Sequence, residues 1–129
     1  MNQYKINLTE AEWTVMECLW ENSSMSGREV TEVMEKRMGW NRSTTLTLLR
    51  RLVAKEAVRE GKDGSKKSFQ PVLCREDAVL QETEDFLGRV YKGSLSLLVS
   101  SFTKKQSLPK EEMEELYAIL KELEVVKND

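Results

Sequence analysis

Between residues 42 and 67 the chain carries eight basic side chains (Arg42, Arg50, Arg51, Lys55, Arg59, Lys62, Lys66 and Lys67) against three acidic ones (Glu56, Glu60 and Asp63), although the formal net charge of the whole is −2. The first part of the stretch, RSTTLTLLRR, interleaves its cations with Ser43, Thr44, Thr45 and Thr47. The second, GKDGSKK, gathers lysines. Guanidinium and ammonium groups neutralise phosphates and release their counterions, and short hydroxyls beside them can reach base edges. That chemistry is recognition of a polyanion, not bond-making. Histidine is absent, which removes the usual general base, the Ser-His-Asp and Cys-His arrangements and imidazole zinc sites. No CxxC pair or phosphate-cradling glycine loop replaces them, so neither an enzyme nor a metal or other cofactor is expected. Cys18 and Cys74 lie far apart and read as small buried or semi-buried residues outside any disulfide.

The elements that must position these residues are helical. The 129 residues, 40% hydrophobic and 33% charged with six Gly and two Pro, suit one ordinary domain or two small modules. The start MNQYKINLTEAEW lacks a basic region followed by an apolar run, and no apolar run approaches the roughly 18 residues of a membrane span. A cytoplasmic chain without membrane insertion is expected. Charge is divided unevenly: residues 1–73 hold 12 basic and 10 acidic side chains, residues 74–129 hold 8 and 12.

LTEAEW predicts a first helix from about Glu10 to Glu21, capped by Thr9 and Glu12, with Leu8 stapled to Trp13 and an inward set of Trp13, Met16, Leu19 and Trp20. MSGREV repeats the box with Ser26 and Glu29. The second helix then runs to about Met38, burying Val30, Val33, Met34 and Met38 and stopping at Gly39. A third, from Asn41 or Arg42 to about Lys55, turns Thr45, Leu48, Leu49 and Leu52 inward. At about 100° per residue this leaves Ser43, Thr47, Arg50 and Ala54 opposite, Thr44 and Arg51 on one shoulder and Leu46 on the other. AVRE and SFQPV predict two strands around GKDGSKK, with Lys62, Lys66 and Lys67 at a hairpin tip and Pro71 at an edge or strand end.

From Cys74 the periodicity is helical to the end. Leu80, Thr83, Leu87 and Val90 share one face, with Val79, Phe86 and Tyr91 beside it and a stop at Gly93. Leu95, Leu98, Val99 and Phe102 form a second stripe, and Met113, Leu116, Leu120 and Leu123 a third, under an acidic face. Three such helices are too few to bury a core alone, so a second copy of the chain is the expected counterpart, with folding back onto the first module as the alternative.

Two helices, a third with hydroxyls and arginines outward, and a basic hairpin are the element order of a winged helix-turn-helix, in which the third helix enters the major groove and the wing follows the phosphates. The expectation is a mainly α chain with a small β-wing: residues 1–73 a winged helix-turn-helix DNA-binding domain, residues 74–129 a three-helix dimerisation segment. The same module also serves as a protein–protein adaptor, and that reading stays open here.

The stretch LTEAEWTVMECLWENSSMSGREVTEVMEKRMGWNRSTTLTLLRRLVAKEAV resembles the opening of the penicillinase repressor family, the BlaI and MecI type of bacterial winged-helix regulators. The family's AEW-x-V-M-x-x-LW first helix and its later W-S-x-x-T-V-x-T-L-L-x-R-L match at Ala11, Glu12, Trp13, Val15, Met16, Leu19, Trp20, Trp40, Thr44, Thr47, Leu48, Leu49, Arg51 and Leu52. FLGRVYKGSLSLLVSSF and LPKEEMEELYAIL resemble its dimerisation segment. The resemblance implies a homodimeric repressor on an inverted-repeat double-stranded operator, controlling β-lactam resistance or cell-wall stress genes. It also implies release by a membrane sensor metalloprotease, through a cut that matches Ser101-Phe102. The family typically has Asn where this chain has Ser101. Ser43 replaces a commonly basic position, Leu46 a commonly polar one, and AKEAV the usual KKG turn. The paired CxC motifs of a copper-responsive branch are absent.

Fold and resemblance together place Ser43, Thr44, Thr47, Arg50 and Arg51 toward the DNA groove and backbone, Trp40 and Arg42 near phosphate at the helix entrance, and Lys62, Lys66 and Lys67 on phosphate from the wing. The expected dimer interface draws Leu80, Phe86, Leu87, Val90 and Tyr91 from the fourth helix, Leu95, Leu98, Val99 and Phe102 from the fifth, and Leu116 and Leu120 from the sixth. No small-molecule ligand is evident. A repressor of the same fold answering another signal remains the alternative.

Overall fold

A computed structural model describes residues 5–105 and 108–128. Its elements are α1 (Glu10–Asn22), β1 (Met25–Ser26), α2 (Gly27–Met38), α3 (Arg42–Ala54), β2 (Val58–Asp63), β3 (Lys66–Pro71), α4 (Arg75–Tyr91), α5 (Leu95–Lys105) and α6 (Lys110–Asn128). They divide into two compact units, Met1–Glu82 and Thr83–Asp129.

Side-chain caps decide where the first helices begin. The Thr9 amide donates to Glu12 Oε1 at 2.8 Å and the Glu12 amide to Thr9 Oγ1 at 3.1 Å. Ser26 and Glu29 repeat the exchange at 2.9 and 3.1 Å. Each box satisfies two amides that the first turn leaves without helical partners. Helix α2 stops at Gly39, whose φ of 70° costs a glycine nothing, and α3 starts at Asn41, whose side chain accepts from the Thr44 amide at 2.8 Å.

The core of the first unit gathers Val15, Met16 and Leu19 of α1, Val30 and Met34 of α2, Leu48, Leu49 and Leu52 of α3, and Ala57, Val58 and Phe69 from the wing. Trp13 and Trp20 are half-buried at its edge, edge-to-face with centroids 5.3 Å apart. Met38, expected inside, is 46% exposed: eight positions beyond Val30, a 100° step has carried it about 80° off the stripe. Cys18 is buried and Cys74 exposed, so the buried or semi-buried expectation fails for Cys74. It follows the buried Leu73 immediately before α4 begins, where the chain is already turning outward.

The sheet has three antiparallel strands in the order β1-β3-β2, one more than the two expected. Strand β1 is only Met25 and Ser26, paired with Phe69 and Ser68, too short to show any alternation. The hairpin is longer than expected: Lys62 pairs with Lys67 and Asp63 with Lys66, so the lysines sit within the ladder and only Gly64 and Ser65 turn. Gly64 takes φ 68°, which a two-residue hairpin loop favours for glycine. Pro71 ends the central strand, opposite Val58.

The first unit runs past residue 73 into α4, because that helix's opening turns are tied down. Trp20 Nε1 donates to the Leu73 carbonyl at 2.8 Å, Arg75 grips Glu17 at 2.7 Å, Gln81 donates to the Ile6 carbonyl at 2.8 Å, and Ala78 is buried. The second unit contains the end of α4, then α5 and α6. Gly93, at φ 84°, ends α4, and Ser94 Oγ accepts from the Leu97 amide at 3.2 Å as α5 begins. None of this unit's described residues is buried, and Leu95, Phe102, Leu120 and Leu123 are all at least half exposed.

Candidate nucleic-acid interface

Helix α3 is held as a rigid presenter. Its inner stripe of Thr45, Leu48, Leu49 and Leu52 is buried, Asn41 caps one end, and at the other Lys55 Nζ donates to Glu12 Oε1 at 2.6 Å and to the Asn7 carbonyl at 2.7 Å. Burial pushes the Glu12 carboxyl toward its neutral form. The Lys55 ammonium and the amide and hydroxyl of Thr9 outweigh that, and its pKa is held below the ordinary glutamate value. The base of the wing is fixed as well: the Ala57 carbonyl accepts from the Val72 and Leu73 amides at 2.8 and 3.1 Å. Between them Glu56 adopts φ 65°, a left-handed conformation that carries strain for a residue with a Cβ.

The outer surface of α3 has two edges. One presents Thr44, Thr47 and Arg51 at i, i+3 and i+7. The other presents Arg42, Leu46, Arg50 and Val53 toward the wing, across a groove of about 700 Å³ that also receives Arg28, Lys66 and Lys67 and reaches down to the buried Leu49. Ser43 is exposed between the edges and Thr47 is half-buried. Trp40 is half-buried and packs against the core, which makes it a brace for the start of α3. Lys62 faces Lys67 across the hairpin but does not line the groove.

Charge pairing separates these cations from the others. Arg28 pairs with Glu32, Arg37 with Glu21, Lys55 with Glu12 and Arg75 with Glu17. The Arg37 and Arg75 guanidiniums are held above their ordinary pKa by hydrogen bonds to those carboxylates, and Glu17 below its own by Arg75. Among the described residues, Arg42, Arg50, Arg51 and Lys62 have no such partner, while Lys66 acts through space on the Glu29 carboxylate and Lys67 lies 3.2 Å from Glu60. Uncompensated cations beside exposed hydroxyls are what a phosphate backbone and base edges require. Arg28, in the groove although paired with Glu32 at 3.3 Å, was not singled out by the sequence. The available signal was its place one residue after Gly27 in the first turn of α2, the helix that crosses the DNA backbone in this arrangement.

The chain's residues 8–122 match the family model described as penicillinase repressor. This chain belongs to the penicillinase repressor family. Among its relatives, a penicillinase repressor of Bacillus licheniformis is 34% identical over 115 residues, covering 89% of this chain and 90% of the relative. The methicillin resistance regulatory protein MecI of Staphylococcus aureus (strain N315) is 29% identical, covering 93% and 98%. The solution structure of B. licheniformis BlaI in monomeric form, in complex with the blaP half-operator, matches with a TM-score of 0.52 at 32% identity, over 57% of this chain and 90% of that one.

The two penicillinase repressor motifs divide their labour in this structure. From the first, Glu12 forms the cap and the tie to Lys55, Val15, Met16 and Leu19 are core, and Trp20 holds Leu73. From the second, Leu48, Leu49 and Leu52 are core, whereas Thr44 and Arg51 are exposed. Family membership is therefore written mostly in packing residues, with Thr44 and Arg51 of the third helix as its exposed part.

Proposed function

We infer that this penicillinase repressor family member is a DNA-binding transcriptional repressor, acting as a homodimer on an inverted-repeat operator in the cytoplasm. One observation carries the reading: the arginines of α3 and Thr44 form an exposed face without carboxylate partners, with the half-buried Thr47 beside them, next to a wing bearing Lys62, Lys66 and Lys67. The third helix enters the major groove, where Ser43, Thr44, Thr47, Arg50 and Arg51 meet bases and backbone. Arg42 and the wing lysines neutralise phosphates, and Trp40 supports the helix entrance. Arg28 joins them from α2.

The first unit binds DNA and the second dimerises. The apolar stripe of α4 to α6 supports the second assignment, since Phe86, Val90, Leu95, Phe102 and Leu120 are exposed in the single chain, as is Leu80 where α4 still belongs to the first unit. Leu87, Tyr91, Leu98, Val99 and Leu116 are half-buried beside them. Burial against another copy removes that surface from water at about 25 cal/mol per Å². No helix among the described residues is long and apolar enough to cross a membrane.

Its regulated genes are those of β-lactam resistance or cell-wall stress, and a membrane sensor metalloprotease relieves repression by cutting at Ser101-Phe102. Both residues are exposed on α5, which must unwind to enter a protease cleft. A second reading, a repressor of this fold answering another signal, is favoured by Ser101 standing where the family typically has Asn.

The deciding experiment titrates the full chain against DNA upstream of its own and neighbouring genes, by fluorescence anisotropy at several salt concentrations with nonspecific competitor. Competitor-resistant binding at two chains per inverted repeat is expected. Binding that competitor abolishes at every salt concentration overturns the repressor reading in favour of an adaptor.

A further inference from the structure

We propose that the groove between α3 and the wing binds a small aromatic carboxylate, and that such an acid competes there with DNA. The competition rests on the DNA-binding reading; the binding itself does not.

The groove has two chemistries, and phosphate recognition uses only one. Its rim is cationic: Arg42 and Arg50 from α3, Lys66 and Lys67 from the wing. Its floor is apolar: Leu46, Leu49, Val53 and Phe69, of which Leu49 is 1% and Phe69 8% exposed, so the groove reaches the hydrophobic core. Gly27 closes one end. A Cβ there stands only 3.4 Å from Phe69 Cε2 and 3.6 Å from Leu46 Cδ2, so the start of α2 lies against the floor. Leu46, half-buried on α3, extends the apolar floor toward Gly27.

A phosphate oxygen gains nothing from Leu46 or Phe69, and a neutral hydrocarbon leaves two unpaired guanidiniums unused. A ring bearing a carboxylate uses both parts. Its flat body covers the floor while the carboxylate accepts from a guanidinium, a charge-assisted contact stronger than a neutral hydrogen bond. The one carboxylate lining the groove, Glu60, already faces Lys67 at 3.2 Å and, with Arg28 paired to Glu32, leaves Arg42 and Arg50 to the ligand. The volume of about 700 Å³ lies within the range of roughly 300–1,000 Å³ usual for small-molecule sites. Because Arg42, Arg50, Lys66 and Lys67 also serve phosphate, ligand and DNA exclude each other.

The test titrates 1-naphthoate into the full ¹⁵N-labelled chain, beside neutral 1-naphthalenemethanol and inorganic phosphate. Saturable shifts at the amides of Gly27, Leu46 and Phe69 are expected with naphthoate alone. Shifts centred elsewhere, or the same response to phosphate, overturn the site. Leu46→Gln should weaken naphthoate at least fivefold. Val53→Gln serves if that variant loses its dispersed spectrum, and undiminished affinity in a folded variant counts against the apolar floor. At a naphthoate concentration ten times its own Kd, the apparent Kd for DNA should rise about elevenfold, at ionic strength matched with chloride. Naphthoate seated in the groove with DNA affinity unmoved refutes the competition. A chain that seats naphthoate yet binds no DNA refutes the repressor reading and leaves the site standing.

Discussion

The two units spend their apolar residues differently. The first buries Met16, Leu19, Met34, Leu49 and Leu52 to within 1% of complete coverage, around helices capped by their own side chains. The second has comparable helical stripes and no buried residue among those described. Amphipathic periodicity reports that a face must be covered, and it is silent on which chain does the covering. The first unit finds its cover within about 80 residues of its own sequence, whereas the second leaves its stripe exposed in the single chain; under the proposed dimerisation, its order depends on protein concentration.

The largest expected effects test this contrast directly. Leu52→Ala should destabilise the first unit by about 2–5 kcal/mol, the usual cost of emptying a core leucine site, measured by urea unfolding followed through tryptophan fluorescence. All three tryptophans, Trp13, Trp20 and Trp40, lie in that unit. Leu98→Asp should leave the same transition nearly unchanged while converting dimer to monomer in sedimentation, with operator affinity falling at least tenfold because the half-sites are no longer held in register. A Leu98→Asp chain that stays dimeric, or unfolds the first unit, removes the distinction between the units.

Next in size is Arg51→Ala, expected to cost about 1–3 kcal/mol on the operator and far less on unrelated DNA if Arg51 reads a base; equal losses on both reassign it to the backbone. Acidification sharpens the contrast from another side. Glu12 and Glu17 have folded pKa values below the ordinary one, so their stabilisation is complete above the unfolded carboxyl value near about 4.3 and disappears as pH falls through the lower folded values. The tryptophan-detected transition should therefore weaken below about pH 4.3, and Glu12→Gln should flatten that dependence. An unchanged profile in Glu12→Gln contradicts the assignment.

Smaller still are the wing substitutions. Lys66→Ala should lower the slope of log affinity against log salt by about 0.9. Lys67→Ala should lower it by less, because Glu60 already holds that ammonium at 3.2 Å, and in a Glu60→Gln background the two should become equal. Equal slopes in the parent protein make the Glu60 pair irrelevant to binding. The smallest effect belongs to Glu56→Gly, expected to raise stability by about 0.5–1 kcal/mol through relief of the left-handed conformation.

How much of this was legible in the chain depends on how local the cause is. Both capping boxes, the Gly39 stop and the inner stripe of α3 are encoded within a few residues, and the sequence expressed them directly. Strand β1 was illegible because two residues owe their conformation entirely to Phe69 and Ser68, more than forty positions away in the chain. The extent of the first unit into α4 depends on long-range hydrogen bonds from three residues, Trp20, Arg75 and Gln81. On the candidate interface, the sequence singled out α3 and the lysines. It did not show that Arg42 and Arg50 share a groove with Lys66, Lys67 and Arg28, since three separate elements build it.

The register that sets Lys62 directly across from Lys67 means that the wing carries like charges at a position where cross-strand pairs ordinarily attract. In the free protein Glu60, two residues before Lys62 and so on the same face, offsets that repulsion. If the wing follows DNA phosphates as proposed, those phosphates take over the task, and the hairpin tip should be better ordered bound than free. Part of the affinity is then folding energy released late, and the wing's own order should report occupancy of the site.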